Sequence, residues 1–194
     1  MSRLLRRNSW QRRIPEVQPS EVLTQLLCLR DGLRLSALTS VPPLANNTWL
    51  AGSLFASPDE RESVAALIEQ LWDARMLTSG TEPPGRNEQW REVQLFRVRL
   101  DCEHVVGRWM VEQFDPLLHR VMDQQYTNPK AVPELLLDSA VSRAVAHGLE
   151  RVLVLPLSRD YWDWRRESRL LLVAEATRNN TSKYRRALED IVRP

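Results

Sequence analysis

The sequence predicts a helix-rich α+β fold: one globular domain with a small, mainly antiparallel sheet and a C-terminal helix. Apolar residues recur at helical spacing behind helix-start residues over several long stretches. Two short stretches, 151–157 and 169–176, are almost continuously apolar, which is typical of buried strands. With 43% hydrophobic and 27% charged residues, 194 residues suffice for one hydrophobic core.

The first 18 residues form a basic N-terminal arm, and residues 19–194 form the globular domain. The first 13 residues hold five arginines and no acid, and prolines stand at 15 and 19. Because the stretch 14–157 holds 19 acidic and 13 basic side chains, the arm and the acidic middle attract each other. Three interpretations of the arm therefore stay open: contact with an anionic partner, contact with a second copy of the chain, or a solvated tail.

Helix signals follow in order along the domain. Ser20 is an N-cap for a helix that ends near Arg30, and Ser57 followed by Pro58 begins a second helix. Asp101 begins a third helix, which Pro116 interrupts and restarts. The remaining predicted helices are 133–147 and 182–192, and the second helix is expected to cover 58–77.

Four strands are predicted, near 33–38, 91–100, 151–157 and 169–176. The first two alternate between apolar and polar residues, which is typical of strands with one buried face. The link 158–169 is too short for a helical crossover, so the last two strands are expected to pair as an antiparallel hairpin. A long loop is predicted at 78–89, where two glycines and two prolines occur.

Composition excludes some classes of protein. No apolar stretch approaches the roughly 20 residues that cross a bilayer, so no membrane contact is expected. The two cysteines and the absence of a secretory signal favour a reducing compartment, and a cytoplasmic location is predicted. The segment Asp101-Cys102-Glu103-His104 lacks metal-ligand spacing and is interpreted as helix capping, so neither a metal nor a cofactor is predicted.

Two segments combine arginine with aromatic residues, the side chains that dominate interface hot spots. One segment is the arm, and the other is the link 158–169, interpreted as a loop. Both could hold a protein partner, or could contact nucleic acid by binding phosphates and stacking bases. The predicted partner-binding residues are Arg3, Arg6, Arg7, Trp10, Arg12, Arg13, Tyr161, Trp162, Trp164, Arg165, Arg166 and Arg169.

A catalytic alternative uses acids near the last two strands. Asp160 or Asp163 together with Glu175 could hold a divalent cation, as in metal-dependent nucleases. Such sites usually add a lysine, but Thr177 stands two residues after Glu175.

The sequence therefore favours a non-catalytic binding or assembly subunit over an enzyme. Its partner would be another protein or a second copy of the chain. The alternatives are a nucleic-acid-binding protein that uses the same two segments and a divalent-metal nuclease.

Overall fold

The computed structural model describes residues 15–46, 50, 54–73, 103–126 and 132–193. At its centre two strands run parallel, β2 (Arg151–Leu155) and β4 (Leu170–Ala174), with Val152 opposite Leu171. All of β4 and nearly all of β2 are buried, as expected for strands covered on both faces. β1 (Glu16–Pro19) lies parallel beside β2, and β3 (Trp162–Arg165) lies antiparallel beside β4, which gives the order β1-β2-β4-β3.

Helices surround this sheet and make the fold a helix-rich α+β structure. Those of the described residues are α1 (Glu21–Gly32), α2 (Pro58–Asp73), α3 (Glu103–Trp109), a π-helical turn (Met110–Phe114), α4 (Asp115–Tyr126), α5 (Pro133–Leu136), α6 (Asp138–Ala146), α7 (Glu175–Arg178) and α8 (Thr181–Val192). Within the described ranges, no helix combines the length and the apolar character needed to cross a bilayer.

The predicted helix starts at Ser20 and Ser57 are confirmed. The Ser20 side chain accepts a hydrogen bond from Leu23 N, 3.4 Å away. Ser57 and Glu60 form a capping box, because Ser57 Oγ accepts from Glu60 N at 3.3 Å and Ser57 N donates to Glu60 Oε2 at 2.9 Å. These local bonds satisfy backbone donors that the first helical turn leaves without a partner.

The predicted restart of the helix at Pro116 agrees with the structure, because α4 begins at Asp115 and Pro116 lies in its first turn. The segment before α4 is the π-helical turn Met110–Phe114 and not a break in the helix. Proline lacks a backbone N–H and clashes with the carbonyl four residues earlier, and a π-helical turn is a usual way to accommodate a local irregularity of this kind. The helical path therefore continues past the proline.

The predicted strand at 33–38 is wrong. Arg34 and Leu38 both have a φ of 52°, which a strand cannot accommodate. Arg34 N donates to Asp31 O and Leu35 N donates to Arg30 O, the bond pair of a Schellman motif that ends α1. The apolar alternation arises because Leu33 and Ala37 point into the core from successive turns.

The predicted antiparallel hairpin, and with it the mainly antiparallel sheet, is also wrong. The segment 158–169 is not one loop, because it contains β3, which runs back along the outer side of β4. The chain thus reverses direction before it enters β4, so β2 and β4 become parallel without a crossover helix. The sheet is mostly parallel, with β3 as its antiparallel strand.

Residues 16–18, assigned to the arm by sequence, belong to β1. Pro19 ends this short strand at the side of the sheet, where a missing backbone donor is tolerated. The predicted strand 91–100 and the predicted loop 78–89 lie outside the described residues, as do residues 1–14 and the end of the helix predicted over 58–77.

A buried ion pair joins the helices on the C-terminal side. Arg178 donates two hydrogen bonds to the Glu134 carboxylate, at 2.9 and 2.7 Å, and Tyr184 Oη donates a third at 2.7 Å. All three side chains are almost fully buried. α5, α7 and α8 are therefore connected by a polar cluster whose charges compensate each other away from water.

We predict that Glu134→Gln lowers the free energy of unfolding by about 3–5 kcal/mol, because it leaves a buried guanidinium without its counter-charge. Chemical denaturation measures this change. The matched control is Glu150→Gln, which removes the exposed ion pair with Arg169 and should cost less than about 1 kcal/mol. Equal losses in the two variants would contradict the stabilising role of the buried cluster.

Candidate functional site

A cleft lies between β3, α2 and the turn that follows α1. Its volume is about 500 Å³, which is within the usual range for ligand sites. We call it the β3–α2 cleft. Its lining residues are Leu38, Thr39, Ser40, Glu69, Trp72, Tyr161, Trp162, Asp163 and Arg165.

The strand geometry of β3 determines which side chains face the cleft. Successive side chains alternate between the two faces of a strand, so Tyr161, Asp163 and Arg165 share one face. Across the cleft from them lie Glu69 and Trp72 of α2. The Trp162 indole bonds α8, because its Nε1 donates to Asp190 Oδ2 at 2.9 Å, and Trp162 also borders the cleft. β3 is therefore held to α8 by Trp162 while Tyr161, Asp163 and Arg165 line the cleft.

The turn that forms one wall of the cleft is held by two buried charged residues at the end of α1. Arg30 donates to the carbonyl oxygens of Val41 and Pro42, each at 2.9 Å, and to Asp31 Oδ1 at 2.7 Å. Asp31 Oδ2 accepts from Leu44 N at 2.8 Å. Because the guanidinium and the carboxylate bond both each other and the backbone, the chain from 38 to 44 has a defined path.

The opposite wall is connected to the same turn through the backbone. Ala45 N donates to Pro156 O at 2.8 Å, and Ser158 N donates to Pro43 O at 2.9 Å. Farther along, Tyr161 N donates to Thr177 Oγ1 at 3.0 Å, which fixes the start of β3 against α7. The two walls are therefore pre-organised relative to each other before any ligand enters.

Leu38 is in a strained conformation at the edge of the cleft. Its φ of 52° is unfavourable for a residue with a branched side chain and costs on the order of 1 kcal/mol. Val41 N donates to Leu38 O at 2.9 Å, which helps to retain this turn. Strained backbone of this kind concentrates at ligand sites, where the surrounding contacts maintain it.

The cleft carries more negative than positive charge. Asp163 forms an ion pair with Arg165 at 2.6 Å, and both are partly exposed, whereas Glu69 is an exposed carboxylate on α2. Burial raises the pKa of Tyr161, and the neighbouring Asp163 carboxylate, which hydrogen-bonds the phenol, raises it further. The phenol therefore stays protonated at neutral pH, and the cleft combines aromatic walls with an excess of one carboxylate.

The structure brings four predicted site residues together at the cleft and separates the others. Tyr161, Trp162, Asp163 and Arg165 line it. Trp164 lies on the opposite face of β3, and its Nε1 is buried without a hydrogen-bond partner among the described residues. Arg166 and Arg169 lie in the turn between β3 and β4. The arm residues Arg3, Arg6, Arg7, Trp10, Arg12 and Arg13 lie outside the described residues.

The three candidate metal ligands do not converge. Asp160 pairs with Lys183 and accepts a hydrogen bond from Thr177 Oγ1 at 3.3 Å. Glu175 is held by Arg120 through two bonds, at 2.8 and 2.9 Å, which raise the pKa of that guanidinium. Asp163 pairs with Arg165 instead. Across the described ranges, no three acidic, histidine or cysteine side chains form a metal-binding group.

Sequence reasoning missed the lining residues that come from outside β3. Thr39 and Ser40 follow a stretch interpreted as a strand, so their turn was not recognised. Glu69 and Trp72 are three residues apart on α2 and share a helical face, with Trp72 buried and Glu69 exposed. The sequence signal that could have pointed to this wall of the cleft is a tryptophan and an acid three residues apart on one predicted helix.

Comparison with protein-family models, curated proteins and solved structures finds no match. The side chains of the cleft are therefore the guide to function.

The raised tyrosine pKa values predict a steeper loss of stability in alkali. Burial and Glu134 also raise the pKa of Tyr184. A phenol with a raised folded-state pKa contributes stability that is complete below its ordinary pKa, near 10, and is lost as the pH rises through the folded-state value. Tyr161→Phe should therefore flatten the fall in unfolding free energy above about pH 10, measured by urea denaturation. Identical slopes in the variant and the parent protein would contradict the assignment.

Proposed function

We propose that this chain is a non-catalytic binding subunit that holds a basic segment of a protein partner in the β3–α2 cleft. The observation that carries the proposal is the pairing of an aromatic wall, the partly exposed ring of Tyr161, with an excess of carboxylate charge from Glu69 and Asp163. Aromatic faces and carboxylates together attract cationic side chains, by cation–π and charge-assisted contacts.

Two features support binding over catalysis in this cleft. Burial moves the pKa of the Tyr161 phenol further above neutral pH than its ordinary value, so the phenol is a poor base or nucleophile there. The Asp163 carboxylate already bonds Arg165 at 2.6 Å and the Tyr161 phenol, so its hydrogen bonds are made within the cleft. Pre-organised walls also suit binding, because little conformational entropy is lost when a ligand enters.

The acidic cleft is unsuited to a phosphate backbone. A nucleic-acid partner would have to use arginines outside it, such as Arg159, Arg166 and the exposed Arg185 and Arg186 of α8. The nucleic-acid alternative therefore stays a prediction, and labelled DNA belongs in the same titration.

The test is a titration of the isotope-labelled full chain with an Arg-Ser repeat peptide and with a Glu-Ser repeat peptide. We expect the Arg-Ser peptide alone to shift the indole N–H signal of Trp162, and not that of the buried Trp109. Glu69→Gln should weaken binding by about two- to five-fold, the effect of losing roughly 0.5–1 kcal/mol from an exposed charge pair.

The matched control is Glu62→Gln. Glu62 is an exposed acid two turns earlier on α2 and does not line the cleft. It should leave the affinity unchanged. Failure of both peptides to shift Trp162, or equal effects of the two glutamate variants, would overturn the proposed function, whereas a shift with DNA alone would favour the nucleic-acid alternative.

A further inference from the structure

β3 is an edge strand of the sheet that the described residues form. In the order β1-β2-β4-β3 it has β4 on one side, and no other strand of the described residues pairs with it. Every residue of β3 is partly exposed, whereas all of β4 is buried. The exposed edge of a sheet presents backbone donors and acceptors that a further strand can bind.

The pairing with β4 determines which backbone groups of β3 are already bonded. Ala174 N donates to Tyr161 O at 2.9 Å, next to the first paired residues of the two strands, so these two opposite residues point their backbone groups at each other. Along an antiparallel ladder such pairs alternate with pairs whose backbone groups point away. The backbone groups of Asp163 and Arg165 therefore also point toward β4.

The backbone groups of Trp162 and Trp164 point in the opposite direction, to the outer side of β3. Each of these residues presents one N–H donor and one C=O acceptor there. Between residues that the structure describes, no backbone hydrogen bond is formed to these outward groups. The outer edge of β3 thus offers two donors and two acceptors at the spacing that a strand requires.

The β3–α2 cleft runs along this outer edge. Tyr161, Trp162 and Asp163 are successive residues, and successive side chains of a strand point to opposite faces. All three residues border the same cleft, which occurs where a cleft lies beside the edge of a strand instead of over one face. A segment of chain in the cleft therefore meets the outward backbone groups as well as the side chains.

The carboxylates of the cleft determine which side chains such a segment carries. Glu69 and Asp163 lie with one guanidinium, that of Arg165, so one negative charge is in excess. An incoming guanidinium is planar, so its face can stack on the partly exposed ring of Tyr161 while its edge donates hydrogen bonds to Glu69. Arginine suits this site better than lysine, whose ammonium is compact and strongly hydrated.

The size of the cleft and the geometry of a strand limit the ligand further. A volume of about 500 Å³ is that of a site for a small ligand, so the cleft admits a short extended segment and not the edge of a second folded copy. Because the side chains of an added strand alternate between its two faces, only every second residue can point toward the carboxylates.

We propose that the β3–α2 cleft binds an extended segment of its protein partner as a further strand on the outer edge of β3, with arginines at alternate positions of that segment. This inference rests on the proposed function of the cleft and specifies the conformation and the sequence pattern of its ligand. Backbone hydrogen bonds to Trp162 and Trp164 supply affinity, and the alternate arginines supply specificity.

The first test is amide hydrogen exchange of the labelled full chain, measured residue by residue with and without saturating Arg-Ser repeat peptide. The amides of Trp162 and Trp164 should exchange at least about ten-fold more slowly with the peptide bound, because each gains a hydrogen bond. The matched controls are the amides of Asp163 and Arg165, which point toward β4 and should change less than about two-fold. Equal slowing at all four amides would report general stabilisation and would overturn strand addition.

The second test compares the Arg-Ser repeat with an Arg-Arg-Ser-Ser repeat of the same length, composition and charge. An added strand holds every arginine of the first peptide on one face, but it divides the arginines of the second peptide between both faces. We therefore expect the second peptide to bind at least about three-fold more weakly, measured by the same titration of the Trp162 indole signal. Equal affinities would indicate attraction between charges without an added strand, and would overturn the proposal.

Further outcomes separate strand addition from the proposed function. A peptide that shifts the Trp162 indole signal but slows neither outward amide overturns strand addition and leaves the binding function in place. Slow exchange at Trp162 and Trp164 that appears without peptide as the protein concentration rises would place a second copy on the edge, and would also overturn the proposal. Absence of both the indole shift and the slower exchange overturns both proposals.

Discussion

The parallel pairing of β2 with β4 is the constraint on which the rest of the structure depends. Both strands are buried, so the chain between them must avoid the faces of the sheet and still reverse direction. β3 provides that reversal along the outer side of β4. In this position Trp162 of β3 bonds α8, and Tyr161, Asp163 and Arg165 line the cleft. The path of the fourteen residues between β2 and β4 thus determines where the candidate site forms.

Two buried ion-pair clusters then fix the helices and turns around this sheet. Arg30 and Asp31 bond the backbone of the turn 38–44, which forms one wall of the cleft. Glu134, Arg178 and Tyr184 connect the helices on the other side. Buried charges stabilise only when their hydrogen bonds are satisfied, and in each cluster a guanidinium bonds a carboxylate directly. Loss of one partner from either cluster would leave a buried charge without its counter-charge, so the clusters constrain the turn and the helices that they join.

The sequence predicted the parts of the fold that depend on local signals. The starts of α1 and α2 follow from Ser20 and Ser57, and the apolar stretches that contain β2 and β4 were recognised by their composition. The relative direction of β2 and β4 was not predictable. It depends on whether Trp162–Arg165 forms a strand that pairs with the outer edge of β4, and such pairing is decided by tertiary contacts. The wrong strand prediction at 33–38 has a different cause. Leu33 and Ala37 are buried and the residues between them are more exposed, so two successive turns produce the alternating pattern that is typical of a strand.

The candidate site was also predicted only where it depends on local sequence. Tyr161, Trp162, Asp163 and Arg165 are adjacent in sequence, so their composition alone identified the segment. Glu69, Trp72 and the turn at Thr39 reach the cleft only through tertiary packing, and a single sequence gives no measure of that. The separation of Asp160 and Glu175 from Asp163 also depends on ion pairs with distant residues, Lys183 and Arg120.

The central claim is that the β3–α2 cleft recognises a guanidinium group, and a comparison of two small ligands tests it most directly. N-acetyl-arginine amide and N-acetyl-citrulline amide have nearly the same shape, but only the first is charged. Titrated into the labelled full chain, the arginine ligand should shift the Trp162 indole signal in a saturable way, and the citrulline ligand should not. Equal shifts from both ligands, or none from either, would contradict the claim.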